Sequence, residues 1–215
     1  MHEDLLRRHL ELVIDANKTT NITRIASMEE GMLLHVQDSL IGLPEVEDAP
    51  EGRYADLGSG AGYPGIPLAI ETGRETLLVD SVGKKTAILD GMVRELGLEN
   101  VSTYTGRIED LARERAGEFA VVTARALAKL SVLMELASPL LQKGGRLVCY
   151  KALVNEEELG NALALQHKLN MEMVSDRTVP LDDKVRRIIV FEKLGKPRVK
   201  LPRKTGLAQK KPLLP

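Results

Sequence analysis

Arg53-Tyr-Ala-Asp-Leu-Gly-Ser-Gly-Ala-Gly-Tyr-Pro-Gly-Ile-Pro-Leu-Ala-Ile70 is the stretch from which the rest of the chain can be read. A short apolar run (Tyr54, Ala55, Leu57) gives way to four glycines within eight residues, Gly58, Gly60, Gly62 and Gly65. Pro64 and Pro67 then stand where a helix would begin, because first-turn amides have no helical partner to lose. The reading is strand, glycine turn, helix. An α/β sheet uses this unit to let a nucleotide-like ligand approach the backbone.

Asp56 bears on which ligand that is. In a dinucleotide fold the turn meets a pyrophosphate, which an acid at the strand end would repel. Asp56 lies two residues before Gly58, and an acid there suits a ligand with a cationic group, such as the ammonium of S-adenosylmethionine. Gly60-x-Gly62-x-x-Gly65 also satisfies the dinucleotide pattern, a weak signal alone. That register starts several residues past the apolar run, and the register from Gly58 puts Tyr63 where a third glycine belongs. The methyl donor is favoured over a nicotinamide dinucleotide.

The chain has 215 residues, 43% of them hydrophobic, which suits one substantial core. No run is apolar and long enough to span a membrane, and Met1-His-Glu-Asp lacks a signal-peptide pattern. A lone Cys149 inside an apolar run reads as a buried structural thiol; it excludes internal disulfides and cysteine-cluster metal sites and fits a reducing cytosol. The expectation is a cytoplasmic monomer with no metal and no membrane. The net charge of −1 hides an asymmetry. Residues 193–215 carry eight cations and no acid, leaving 22 basic and 31 acidic groups elsewhere. An acidic body with a basic tail fits a protein that grips a polyanion at one place, although a solvated tail without a partner has the same composition.

Residues 3–16 carry a helical stripe (Leu5, Leu6, Leu10, Val13, Ile14), and Ser27 with Glu30 forms a capping box opening a second helix through about Ile41. Pro44 to Gly52 reads as an acidic linker. From Arg53, strand and helix alternate: strands over 75–79, 101–104, 119–123 and 146–150, with helices over 82–96, 130–141 and 156–169. Met171–Val179 and Arg187–Glu192 follow as two strands joined through Asp182-Asp183. The expected fold is α/β, a mostly parallel Rossmann-like sheet of the class I methyltransferase type with a C-terminal antiparallel hairpin. The segments are a helical N-terminal cap (1–50), a methyltransferase domain (51–193) and a basic, proline-containing tail (194–215).

Ligands of such sheets bind at the carboxyl ends of the strands. Those ends carry Asp56, Gly58 and Gly60, then Asp80, then Ile108 and Glu109, then Arg125, then Lys151. Asp80, about twenty residues past the turn, suits both hydroxyls of a ribose, or caps the next helix with Ser81. Glu109 is placed to accept from an adenine amino group beside the Ile108 amide, or to serve as a first-turn carboxylate. Together they outline an adenosine-shaped site.

Several segments carry a specific resemblance: Asn21-Ile-Thr-Arg-Ile, His35-Val-Gln-Asp-Ser39, the Asp56–Pro67 run, Asp80-Ser-Val-Gly-Lys-Lys85, Arg125-Ala126, Lys143-Gly-Gly-Arg146, and the tail Leu201-Pro-Arg-Lys-Thr-Gly206 with Lys210-Lys-Pro-Leu213. The chain resembles the ribosomal RNA small subunit methyltransferase G (glucose-inhibited division protein B) family from about residue 12 to the end. The resemblance implies methyl transfer from S-adenosylmethionine to N7 of one guanine in the decoding region of 16S ribosomal RNA; the expected partner is that RNA or a small-subunit precursor. It also implies cofactor contacts at Gly58, Tyr63, Ile108, Glu109 and Arg125. Leu34 departs from an arginine usual in the family, Ala16 from a tryptophan, and Thr205 from a proline. A class I methyltransferase acting on another RNA, a protein or a small molecule is the alternative, as is a cofactor-binding RNA module without turnover.

Guanine N7 carries a free lone pair, so no general base is required, and catalysis can rest on positioning. Arg125 is the candidate catalytic residue, touching the cofactor and orienting the base or a phosphate; the competing reading pairs it with Asp80 or Glu109 as scaffold. RNA contact is expected from Lys84, Lys85, Lys151, Arg203, Lys204, Lys210 and Lys211, with prolines holding the tail extended. Removal of the tail is expected to weaken RNA affinity and leave cofactor binding intact.

Overall fold

The computed structural model describes residues 2–214, so Met1 and Pro215 lie outside the described residues. Among these residues no helix is long and apolar enough to cross a membrane. The N-terminal part is helical: α1 (Glu3–Asn17), α2 (Met28–Gly31), a π-helical segment (Met32–Gln37), α3 (Asp38–Leu40) and α4 (Leu43–Glu47). The side chain of Ser27 accepts from the Glu30 amide, as the capping box requires. The proposed linker is a helix at its start, with Pro44 in its first turn, where proline fits.

β1 (Arg53–Leu57), α5 (Gly65–Thr72), β2 (Thr76–Asp80), α6 (Gly83–Glu95), β3 (Val101–Thr105), α7 (Ile108–Glu114), β4 (Phe119–Arg125), α8 (Leu130–Ala137) and β5 (Leu141–Lys151) then alternate. α9 (Glu156–Leu169), the hairpin β6 (Met171–Leu181) and β7 (Lys184–Lys193), and the short α10 (Leu207–Lys210) complete the chain. One seven-stranded sheet runs β3-β2-β1-β4-β5-β7-β6, parallel through β5 and antiparallel at β7 and β6. The expected α/β architecture with its C-terminal hairpin is the observed one. Helix α8 stops at Ala137, four residues short of the expected end, and β5 starts at Leu141. Gly144 and Gly145 therefore lie inside a strand, beside a register shift against β4. A Cβ at Gly145 would sit 3.0 Å from the carbonyl oxygens of Gln142 and Phe119, which reserves that position for glycine.

The strand period of two divides the core. Ala55, Leu57, Val79, Val122, Leu147 and Cys149 face α7, α8 and α9. On the other face Leu78 packs with α1, α5 and α6, and Tyr54, Val121 and Val148 pack with α4 and α5. Asp56 shares the Tyr54 face. This parity decides its role.

Candidate functional site

At the carboxyl end of the sheet a cleft of about 250 Å³ is lined by Gly58, Asp80, Lys85, Ile108, Glu109, Arg125 and Ala126, with further walls from Ser81, Leu127, Leu136 and Gln209. The structure thus gathers five of the expected cofactor contacts, from four strand ends, around one space, and adds Lys85, expected as an RNA contact. Gly58 has φ +74°, and a Cβ on it would come 2.9 Å from Leu127 Cδ1. Only glycine keeps both the turn and the room beside it.

Asp80 is held by backbone donors: Gly60 N donates to Oδ2 at 3.2 Å and Val82 N to Oδ1 at 2.9 Å. Gly60 itself does not line the cleft; it orients the acid that does. Val82, the N-cap residue of α6, receives no side-chain cap, so Asp80 does not cap the next helix; its bond to the Val82 amide fixes the turn before α6, and the carboxylate belongs to the cleft wall.

Asp56 and Tyr63 lie outside the lining as well. Asp56 is buried under α5, with Oδ1 accepting from Thr123 Oγ1 at 2.7 Å; Thr123 Oγ1 in turn lies 2.7 Å from the Tyr54 hydroxyl. Its Oδ2 has no hydrogen-bond partner, and burial pushes its pKa up to about 6 against the opposing effect of the hydrogen bond from Thr123. The carboxylate is buried against Thr123 of β4, behind the residues that line the cleft. Tyr63 is buried, stacked on His35 with ring centres 4.3 Å apart and beside His9 at 4.5 Å. The Arg125 guanidinium lies 5.7 Å above the tyrosine ring.

Arg125 is paired with neither Asp80 nor Glu109. Its Nη1 donates to Asp38 Oδ2 at 2.7 Å and to the Leu34 carbonyl at 3.2 Å, and Nη2 lies 3.3 Å from His35 Nδ1. Since a guanidinium only donates, His35 Nδ1 accepts and its Nε2 carries the proton toward Thr23 Oγ1 at 2.8 Å. Burial, aided by the Arg125 charge, lowers the pKa of His35 to about 4. The π-helical turn over Met32–Gln37 turns both His35 and Asp38 inward onto Arg125.

A second cavity of about 450 Å³ adjoins the first and shares Arg125 and Ala126 with it. Its walls are Ile25, Leu34, Tyr150 and Leu153, with His35, Asp38, Lys151 and Arg186 supplying polar groups. Ala126 has φ +53° at the junction, a strained conformation for a residue with a Cβ. Arg186 Nε donates to Asp38 Oδ1 at 2.5 Å, so one carboxylate holds two guanidiniums. Sequence reasoning did not single out Arg186; the only local signal was a cation cluster at the hairpin tip.

The candidate RNA contacts fall into two groups. Lys84, Lys204, Lys210 and Lys211 are exposed. Lys85 lines the cleft at the carboxyl end of the sheet, and Lys151 is tied to Glu158 at 2.7 Å and to the Ala128 carbonyl at 3.2 Å. Arg203 is paired through two nitrogens, both at 2.7 Å, with the two oxygens of buried Glu135. The tail is folded onto the body, contrary to the extended form expected from its prolines. Gly206 N donates to Glu109 Oε1 at 2.6 Å, Thr205 Oγ1 to Asp110 Oδ1 at 3.0 Å, and Ala208 packs among Ile108, Val132 and Leu136.

The family described as rRNA small subunit methyltransferase G (GidB) matches residues 2–189 of the chain. The chain belongs to that family. It is similar to the ribosomal RNA small subunit methyltransferase G of Streptococcus pyogenes serotype M12, 36% identical over 95% of this chain and 89% of that one. It is 34% identical to the protein of the same name from Lactobacillus delbrueckii subsp. bulgaricus, over 99% and 92% of the two chains. The fold is likewise that of solved methyltransferases. A geranyl diphosphate methyltransferase in complex with SAM superposes with a TM-score of 0.61 at 12% identity, covering 74% of this chain and 85% of that one. Precorrin-6y C5,15-methyltransferase of Geobacter metallireducens gives 0.56 at 11% identity, over 72% and 86%. These low identities speak for a class I methyltransferase fold, and the family membership rests on the sequence.

Proposed function

We propose that this protein transfers a methyl group from S-adenosylmethionine to N7 of a specific guanine in 16S ribosomal RNA. The observation that carries the reading is the shared wall: Arg125 and Ala126 belong both to an adenosine-suited cleft and to a larger cavity beside it. The donor set fits the cofactor. Asp80 is a carboxylate oriented by two amides, as a ribose diol needs; the Gly58 turn lets the backbone come close; Ile108 and Leu136 offer an apolar wall to a flat ring.

When bound, S-adenosylmethionine supplies an electrophilic methyl on a sulfonium. The chain's own groups have two tasks. Asp80, Gly58, Ile108 and Glu109 hold the nucleoside end, while Arg125, fixed by Asp38 and by the neutral His35, sets the boundary between the two cavities. The second cavity is the place for the guanine: Ile25, Leu34 and Leu153 suit an unstacked purine face, and Arg125 and Arg186 suit its O6 or a flanking phosphate. N7 needs no deprotonation, so aligned approach is the principal contribution, worth an effective molarity of roughly 10⁵–10⁸ M in well-oriented systems. Exposed Lys84, Lys204, Lys210 and Lys211 supply phosphate contacts.

Calorimetric titration with S-adenosylmethionine and with NADH, on wild type and Gly58→Asp, tests the cofactor. Saturable binding of the methyl donor alone, lost in the variant, is expected, and NADH binding would overturn the reading. Tritium-methyl transfer mapped on 16S ribosomal RNA then tests the substrate.

A further inference from the structure

The C-terminal segment 203–211 is part of the wall of the cofactor cleft. Gln209 lines that cleft, and the segment around it is anchored by several contacts besides the Thr205–Asp110 bond. Arg203 grips both oxygens of Glu135 at 2.7 Å, and its Nη2 also donates to the Lys211 carbonyl at 2.8 Å, closing the segment into a loop. Gly206 N donates to Glu109 Oε1 at 2.6 Å. Ala208 is buried with Val132 and Leu136 against Ile108, and both Ile108 and Leu136 are themselves cleft-lining residues.

These contacts reassign a role. The sequence pointed to Glu109 as the acceptor for an adenine amino group, yet one of its oxygens is spent on the tail. Gln209 lines the same cleft as Glu109 and is exposed. A carboxamide presents a donor and an acceptor side by side, the pattern that matches the N6/N7 edge of adenine; a carboxylate matches only the amino group.

We propose that Gln209 reads the adenine edge of the cofactor, and that the Arg203–Glu135 pair is the positioning device that delivers it. The inference rests on the methyl donor as ligand. It makes the basic tail a component of the cofactor site as well as a surface for RNA.

The test uses full-length protein, with S-adenosylhomocysteine and its inosine counterpart, in which the ring amino group is replaced by oxygen, as calorimetric probes. Wild type is expected to prefer the adenine compound by tenfold or more, about 1.4 kcal/mol. Gln209→Ala, whose side chain is exposed and leaves the fold intact, is expected to bind the adenine compound about tenfold more weakly and to lose the preference. Arg203→Ala is expected to weaken the adenine compound similarly and to open the chain to trypsin after Lys204, while Arg203→Lys recovers part of the affinity. Gln209→Ala with undiminished affinity and preference would overturn the proposal. So would Arg203→Ala with an accessible tail and unchanged affinity. If wild type binds neither probe, the methyl-donor reading itself fails, which is a separate outcome. Should Arg203→Ala fail to fold, the Gln209→Ala result decides.

Discussion

Arg125 on β4 and Asp38 on α3 are paired at 2.7 Å although 87 residues separate them in the chain. Asp38 also takes Arg186 at 2.5 Å, so a single buried carboxylate ties the N-terminal helices to both the parallel strands and the hairpin. Removing Arg125 disturbs this pairing and the wall between the two cavities together. Arg125→Ala is expected to lower methyl transfer by about 10²-fold, the scale of a misplaced reacting group, with a lowered melting temperature. Near-normal transfer in a variant that only melts earlier would make Arg125 scaffold alone.

Removing the shared anion is expected to be costly in a different way. Asp38→Ala leaves two largely buried guanidiniums without their partner, and breaking such a pair destabilises by about 3–5 kcal/mol. Urea unfolding monitored by circular dichroism should show it, and an unchanged midpoint would mean that Arg125 and Arg186 find other partners.

Gly65 begins α5 directly over Asp56. A Cβ there would overlap the Leu78 side chain and stand 2.8 Å from Asp56 Oδ2. Leu78 is fully buried and Asp56 is pinned by Thr123, so neither has room to yield. Gly65→Ala is expected to lose about 1–3 kcal/mol, the usual range for an overpacked core, while Gly73→Ala, with open space around it but φ +65°, loses about 1 kcal/mol through backbone strain. Thermal melts of the two variants check the order.

Asp56 gives stability a pH dependence of unusual sign for a carboxylate. Its pKa stands near 6 in the fold against 3.8 for a free side chain. Between those values the folded form keeps a proton that the unfolded chain has lost, so this group's contribution falls as pH rises from about 4 through 6. Asparagine does not titrate. The stability of Asp56→Asn relative to wild type is therefore expected to increase by about 2–3 kcal/mol between pH 4 and pH 7.5. A difference independent of pH would show that Asp56 titrates normally.

Lys204, Lys210 and Lys211 project from the docked tail. Replacing all three by alanine is expected to weaken binding to 16S ribosomal RNA fragments and to flatten log K against log salt by about 2–3, about one unit per phosphate contact. Affinity for S-adenosylmethionine should stay within about twofold, because these side chains are exposed and none of them lines the cleft.

The alternation of strands and helices and the chemistry of the strand ends were legible because they depend on local signals. Glycine density, apolar runs and the acid after β2 are read within a few residues, and a parallel sheet puts its carboxyl ends at one edge. Gly58, Asp80, Ile108, Glu109 and Arg125 followed from that rule and lie together in the cleft. The side of β1 that Asp56 faces was not legible. Tyr54 to Leu57 are buried on both faces, so the alternation of polar and apolar residues that would fix parity is absent.

The tail shows the same limit from the other direction. Eight cations and no acid in residues 193–215 describe a solvated arm as well as a docked one, since composition does not reveal where the opposing acids lie. Lys193 is in fact buried, donating to the Ser138 and Leu141 carbonyls at 2.6 Å each. Glu135, Glu109 and Asp110, 68 to 97 residues earlier in the chain, supply the acceptors that fold the rest of the segment down. The sequence by itself determined the α/β class, the glycine turn and the ring of strand-end groups, all set by periodicity and backbone conformation. Only the tertiary structure decided that Asp56 pairs with Thr123, that Asp38 holds Arg125, and that the tail walls the cleft. Each of these depends on one side chain meeting another far away in the chain, and such pairings leave no periodic trace.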